Sequence, residues 1–462
     1  MSALFDSLFG ATAIRGVFSD RARVQRMLDF EAALARAQGR AGIVPPAAAA
    51  AIAAACRVEA FDLDALAQDA ATAGNPAIPL VKQLIERVAR TSPDAAHFVH
   101  LGATSQDAID TGCVLQLREA FALIEADFAR LAATLAALAD RYRNTLMVGR
   151  TLLQHAVPIT FGLKVAGWLD AIDRHRARWR GMCARALVVQ FGGASGTLAA
   201  LGARGIDVAT LLADELKLAL PALPWHAHRD RPAEVATTCG LLAGSLGKIA
   251  RDVVLLMQTE VSEVFEPAEE GRGGSSALPH KRNPVASLAV SAAALRVPNL
   301  VATMLAAMAH DHERAAGAWH AEWETLPEIV VLTGGALALI ADTIDGLQVD
   351  ALRMRDSLDT TRGLVLAEAV TTALGERVGQ QSARELIERA CRLASREGRL
   401  LRDVLADDAQ VSQHLNAADL DRLFDPANYV GMTQQLIDRV LSSPLPSWER
   451  GGGEGASDRQ PS

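Results

Sequence analysis

The sequence predicts an all-α protein, a long-helix bundle with smaller helical N- and C-terminal domains. Three observations predict it: apolar residues recur at steps of three and four, alternating β-branched runs are missing, and the composition suits helices. The spacing is clearest at Val114, Leu117, Phe121, Ile124, Phe128, Leu131, Leu135 and Leu138. This heptad seam specifies a long helix packed nearly parallel to its neighbours. Leu242, Leu246, Ile249, Val253 and Leu256 repeat the pattern. Half of the 462 residues are hydrophobic but only 4% are aromatic. Ala, Leu, Arg and Glu are prominent, and they lose little side-chain freedom in a helix.

In chain order, Ser19-Asp20 supplies the N-cap of a first helix carrying Val24, Met27, Leu28, Glu31 and Leu34, closed by Gly42 and Pro45. The two seams follow, and the apolar segments 285–310 and 328–348 extend the bundle. The chain thus divides into an N-terminal helical domain (1–110), a central bundle (111–350) and a C-terminal helical domain (351–441). Residues 442–462, rich in Gly, Ser, Pro and charge, read as a disordered tail.

The net charge of −8 argues against a general nucleic-acid binder. No apolar stretch reads as long and uninterrupted enough to span a bilayer, so no membrane partner is expected. Met1–Gly10 lacks a basic start followed by an apolar run, which predicts a cytoplasmic protein. Cys56, Cys113, Cys183, Cys239 and Cys391 are far apart, as expected of buried, reduced thiols. Two His-x-His pairs, His226/His228 and His310/His312, raise a metal site. No Cys or carboxylate set completes the ligand spacing, so neither a metal nor another cofactor is expected. The run Gly192-Gly193-Ala194-Ser195-Gly196 lacks the strand–turn–helix context of a dinucleotide loop. His228-Arg229-Asp230-Arg231 reads as solvated surface or substrate-gate contacts.

The chemistry concentrates in Gly273-Gly274-Ser275-Ser276-Ala277-Leu278-Pro279-His280-Lys281-Arg282-Asn283-Pro284. The glycines make a mobile loop. Asn283 is a strong N-cap and Pro284 suits the first helical position, so the loop leads into a helix start that attracts negative charge. Two hydroxyls and several basic groups on such a loop suit an anionic substrate.

This stretch resembles the signature loop of the fumarase/aspartase superfamily, Gly-Ser-Ser followed by Pro, Lys and Asn at fixed spacing. His100-Leu-Gly-Ala-Thr104-Ser105-Gln106-Asp107 resembles that family's first signature segment. Gly149-Arg150-Thr151-Leu152-Leu153-Gln154-His155-Ala156-Val157-Pro158 resembles its second. The resemblance runs to about residue 440 and implies a fumarase/aspartase-like bundle. It implies Ser275 as the proton carrier, with Lys281 and Asn283 holding an enolate-like intermediate. Substrate carboxylates fall to His100, Thr104, Ser105, Gln154, His155 and Ser276. A homotetramer with shared active sites is implied as well.

Departures from the family pattern narrow the chemistry. Leu152 stands where most members carry a histidine, and Thr72-Ala73-Gly74-Asn75 replaces a second histidine stretch of the adenylosuccinate lyases. Such an acid matters for a poor leaving group such as an amine. A carboxylate, with a pKa of roughly 4, needs no protonation to leave or attack. The run Trp319-His320-Ala321-Glu322-Trp323-Glu324-Thr325-Leu326-Pro327 is similar to bacterial 3-carboxymuconate cycloisomerases, as are the stretches 27–36 and 190–196. The expected reaction is an intramolecular addition within a small tricarboxylate, in protocatechuate (β-ketoadipate) degradation. The alternatives are an adenylosuccinate lyase-like C–N lyase and a non-catalytic helical scaffold.

Overall fold

The structure, a computed structural model, describes residues 7–10, 12–268, 273–274, 278 and 280–442. The proposed tail from 443 onward, Ser275 and Ser276 therefore lie outside the described residues. Long helices dominate: α1 (Asp20–Arg40), α2 (Ser105–Arg141), α3 (Phe161–Ala186), α4 (Gly205–Leu216), α5 (Asp230–Leu256), α6 (Val285–Ala306) and α7 (Ala318–Asp345). Towards the C-terminus follow α8 (Ala367–Val378) and α9 (Gln380–Glu397). Both predicted seams are helical and, except for the half-buried Leu138, buried; Ile124, Phe128, Leu131, Leu135, Leu242, Leu246 and Val253 have no accessible surface. Ser19 caps α1 as expected, its hydroxyl accepting from Ala22 N at 3.3 Å.

The chain forms two compact units. The first comprises Met1–Phe128, His175–Gly247 and Ala289–Leu339. Its core uses both faces of α1. Phe30, Leu34 and Ala37 pack with Val114, Leu115, Leu212 and Trp225, while Met27, Leu28 and Ala35 pack with Ile52, Leu80 and Leu84. Each fully buried large side chain contributes roughly 1.5–3 kcal/mol. Phe121 and Phe128 set their rings against Trp179, with centroids 4.8 Å and 5.8 Å away.

The second unit comprises Ala129–Arg174, Lys248–Leu288 and Ile340–Ser462. Here the sequence reading missed strands. A hairpin pairs β1 (Leu146–Thr151) with β2 (Gln154–Thr160), and β3 (Val264–Phe265) pairs with β4 (Gln348–Val349). The hairpin bulges between Val148 and Arg150, where a Cβ on Gly149 would meet Val157 O at 2.7 Å. The bulge breaks the period of two that would have advertised the strands. In the C-terminal part, α8 and α9 bury Val370, Leu374, Ile387 and Ala390.

One sequence expectation is corrected. Two helices, α6 and α7, are long and apolar enough by length and composition to cross a membrane. For α7 the cause is burial, since 83% of its apolar window lies inside the protein; for α6 the figure is 28%. All five cysteines are free. Burial pushes the Cys239 thiol up to about 12, so it stays protonated.

Candidate active site

In the first unit the candidate substrate-binding side chains gather at the N-terminus of α2. Thr104 precedes the helix, and its backbone N–H donates to Asp107 Oδ2 at 3.0 Å, half of a capping box. Ser105 opens the helix, whose first-turn amides and dipole favour an anion. Arg314 donates from Nη1 to Thr104 Oγ1 at 2.9 Å and from Nη2 to Ala194 O at 3.0 Å. Its Nε is buried and meets no acceptor among the described residues. A buried donor left open is costly, so the fork is set for a further acceptor. His100 sits behind this group at φ 59°, its Nδ1 2.6 Å from Glu31 Oε1. Burial works against the imidazolium, but the Glu31 carboxylate outweighs it and holds His100 above the ordinary histidine range.

Beneath this surface lies a charge cluster that overturns one sequence reading. Arg229 is buried, not solvated. Its guanidinium reaches Asp110 at 2.7 Å and Glu322 at 2.5 Å and lies over the Trp225 ring. Trp319 Nε1 donates to Asp110 Oδ1 at 3.0 Å. Burial opposes the Arg229 charge, yet Asp110 and Glu322 raise its pKa; burial pushes Glu322 up in spite of Arg229. The His-x-His segments lie in irregular chain, joined by a bridge between His228 and Ala309. The His226 ring is committed to Asp107 at 2.7 Å. Among the described residues, no group of three His, Cys, Asp or Glu could hold a metal.

In the second unit, β1 and β2 meet in a two-residue turn made by Leu152 (φ 51°) and Leu153 (φ 63°), 96% and 71% exposed. Gln154 is exposed, with only a long 3.5 Å contact to Leu153 O among the described residues. His155 lies across the hairpin from Arg150, which binds Glu263 through two N–H groups at 2.6 and 2.9 Å. Burial and the Arg150 charge lower the His155 pKa, leaving a neutral ring whose buried Nδ1 has no partner among the described residues.

Lys281 is exposed. Asn283 corrects another expectation, for it does not cap the helix. α6 begins at Val285, and Asn283 Nδ2 donates instead to Gly273 O at 3.1 Å, alongside its backbone N–H at 2.9 Å. These bonds tie together the two ends of the Gly-Ser loop. The cap comes from buried Glu266, whose carboxylate accepts from Ala286 N at 3.2 Å and Ser287 N at 2.8 Å. That helix start is already neutralised by a protein carboxylate, so it is not the anion site the sequence suggested.

His100, Thr104 and Ser105 thus share one locus with Arg314. Gln154 and His155 on the hairpin, and Lys281 and Asn283 after the loop, occupy separate stretches of the second unit, which no hydrogen bond joins among the described residues. The sequence reading gave no role to Arg314, Asp107, Glu263 or Glu266. Only Asp107 carried a local signal, as the acid three residues after Thr104.

Comparison with known proteins identifies the family. The Lyase family model matches residues 9–299, and a model described as adenylosuccinate lyase C-terminus matches residues 363–440. The 3-carboxy-cis,cis-muconate cycloisomerase of Pseudomonas aeruginosa is 58% identical over 439 residues, covering 95% of this chain and 96% of that one. The enzyme of the same description from Bradyrhizobium diazoefficiens is 53% identical, covering 96% and 98%. A crystal structure of 3-carboxy-cis,cis-muconate lactonizing enzyme from Pseudomonas putida superposes with a TM-score of 0.92 at 54% identity, covering 97% of this chain and all of that one. By sequence and by fold, the chain belongs to the lyase family of the fumarase/aspartase superfamily.

Proposed function

We propose that the chain converts 3-carboxy-cis,cis-muconate to 4-carboxymuconolactone, without a cofactor, in protocatechuate degradation. The observation that carries this reading is Leu152. An apolar, exposed side chain stands at the hairpin tip where an amine lyase of this family needs an acid. His155 nearby is held neutral by burial and Arg150, a poor proton donor for an amine. A carboxylate that attacks or leaves needs neither. The cycloisomerase relatives, at 53–58% identity, support the same choice.

In this mechanism one substrate carboxylate oxygen forms a bond to carbon. The π electrons move onto the neighbouring carboxyl group as an aci-carboxylate, and a solvent proton relayed by Ser275 reaches carbon. Lys281 and Asn283 stabilise the developing charge, as fixed donors do at an oxyanion hole. Thr104, Ser105, Arg314 and His100 hold substrate carboxylates, while Gln154, His155 and Ser276 complete the contacts. The subunits assemble as a cytoplasmic homotetramer with shared sites. Supporting this, α6 leaves Leu288 and Leu295 exposed at heptad spacing, 50% and 76%, an apolar seam suited to a second copy.

The test is to mix purified protein with 3-carboxy-cis,cis-muconate and follow loss of diene absorbance, with adenylosuccinate as control. Consumption of the muconate alone is expected. Cleavage of adenylosuccinate with the muconate untouched would overturn the proposal.

A further inference from the structure

We infer that His226 is a positioning residue: acting through Asp107, it sets the distance between Thr104 and Arg314. The inference rests on the reading of those two residues as carboxylate ligands. Asp107 is fully buried on the first turn of α2 and collects four donors. Oδ2 accepts from Thr104 N at 3.0 Å and Gly193 N at 2.9 Å; Oδ1 accepts from Gly192 N at 3.0 Å and His226 Nε2 at 2.7 Å. Burying a carboxylate is costly unless its oxygens are hydrogen-bonded in this way. Three of these donors are backbone amides, fixed by their own loops. His226 is the side chain among them.

The fit leaves little slack. Gly193 adopts φ +70°, and a Cβ there would stand 2.8 Å from Gly102 O, so the 100–104 and 190–194 loops touch where only glycine fits. Thr111 Oγ1 donates to Gln190 O at 2.8 Å and accepts from Gln190 N at 2.9 Å, anchoring the second loop one turn further along α2. Gln106 Nε2 holds His226 O at 3.0 Å, and Gln190 Oε1 accepts from Trp225 N at 2.7 Å. Three chain segments therefore converge on Asp107. Arg314 spans two of them, from Thr104 Oγ1 to Ala194 O. If Oδ1 loses its histidine donor, the carboxylate turns, Gly192–Ala194 shifts with it, and the Arg314 fork separates from the Thr104 hydroxyl. His226 itself is only 4% exposed and does not reach the ligand surface.

Three variants test this in the full-length protein. His226→Gln puts an amide nitrogen at the reach of Nε2, His226→Asn stops short of it, and His226→Leu removes the donor. Expected for His226→Leu is a KM for the muconate raised about tenfold, equivalent to about 1.4 kcal/mol, with kcat within about threefold, while His226→Gln returns close to wild type. If His226→Leu does not fold, His226→Asn takes its place and still shows a higher KM than His226→Gln. Equal KM values for Asn and Gln, or an unchanged KM in His226→Leu, overturn the inference. Thermal stabilisation by citrate, an unreactive tricarboxylate, is read in parallel. Wild type and His226→Gln are stabilised and His226→Leu is not; stabilisation of all three to the same extent overturns it. A wild type stabilised by citrate but inert towards the muconate refutes the proposed reaction and leaves the His226 comparison readable.

Discussion

Arg314 donates to the Thr104 hydroxyl at 2.9 Å while its buried Nε meets no acceptor among the described residues. The guanidinium is held in place by two neutral oxygens and keeps its charge for something else. Hydrogen bonds to a charged group contribute about 1.5–3 kcal/mol, so Arg314→Ala is expected to raise KM for the muconate about 10- to 100-fold. Arg314→Lys restores only part of this, because an ammonium lacks the planar fork. Steady-state kinetics decide the point: a KM within about threefold of wild type in Arg314→Ala removes the residue from substrate binding.

Ser275 carries the second prediction. If its hydroxyl relays the proton, Ser275→Ala lowers kcat by about 10²- to 10⁴-fold, the usual contribution of a positioned acid or base. The circular dichroism and sedimentation of the variant match wild type. Turnover at an ordinary rate would exclude Ser275 from proton transfer.

Arg150 and Glu263 form an ion pair at 2.6 Å in which the Glu263 side chain has no solvent contact. Removing one partner of a buried pair strands the other, so Arg150→Ala, which leaves the fully buried Glu263 carboxylate unpaired, is expected to destabilise the protein by about 3–5 kcal/mol. Denaturant unfolding measures this. A loss below about 1 kcal/mol, the level of a surface pair, contradicts the burial argument.

The His100–Glu31 pair gives a pH dependence of definite sign. The folded pKa of His100 lies above its ordinary value of 6.5, because Glu31 outweighs the effect of burial. The pair therefore contributes its full stability below the unfolded pKa and loses it as pH rises through the folded one. Compared with His100→Asn, wild type gains most stability at about pH 5.5 and least at about pH 9. Unfolding curves at the two pH values check it, and the opposite ordering refutes the assignment.

Glu266 substitutes for a missing helix cap. Glu266→Ala is expected to cost about 1–2 kcal/mol, and to speed amide exchange at Ala286 and Ser287 first. Glu266→Gln keeps one acceptor and most of the protection. Unchanged exchange at both amides in the Ala variant rejects the capping role.

Periodic features were legible in the sequence and compensated ones were not. The seams at 114–138 and 242–256 announce themselves because their positions repeat the same burial, and the structure buries all of them but the half-buried Leu138. The bond from Thr104 N–H to Asp107 was legible in principle from local spacing, although the sequence reading gave Asp107 no role. Arg229 was not, because the acids that draw it inward lie 119 and 93 residues away. Without them, a run of Arg, Asp and Arg looks like surface. Asn283 misled for the opposite reason: its local preference to cap was overridden by Glu266, a tertiary competitor 20 residues upstream of Ala286. Arg314 lies in irregular chain between α6 and α7 and has no local signature, and only the chain path brings it to Thr104.

The hairpin tip has a consequence for anyone redesigning this protein. Leu152 and Leu153 hold a turn that Asn-Gly would adopt without strain, and each leucine there forgoes about 1–2 kcal/mol. A heat-tolerance campaign judged by melting point alone would swap them early. It would gain a sturdier hairpin by discarding the greasy knuckle that, in the proposed reaction, keeps an acid away from the reacting centre. Robustness and selectivity pull in opposite directions at that corner, so such a campaign needs an amine-cleavage screen running beside the thermometer.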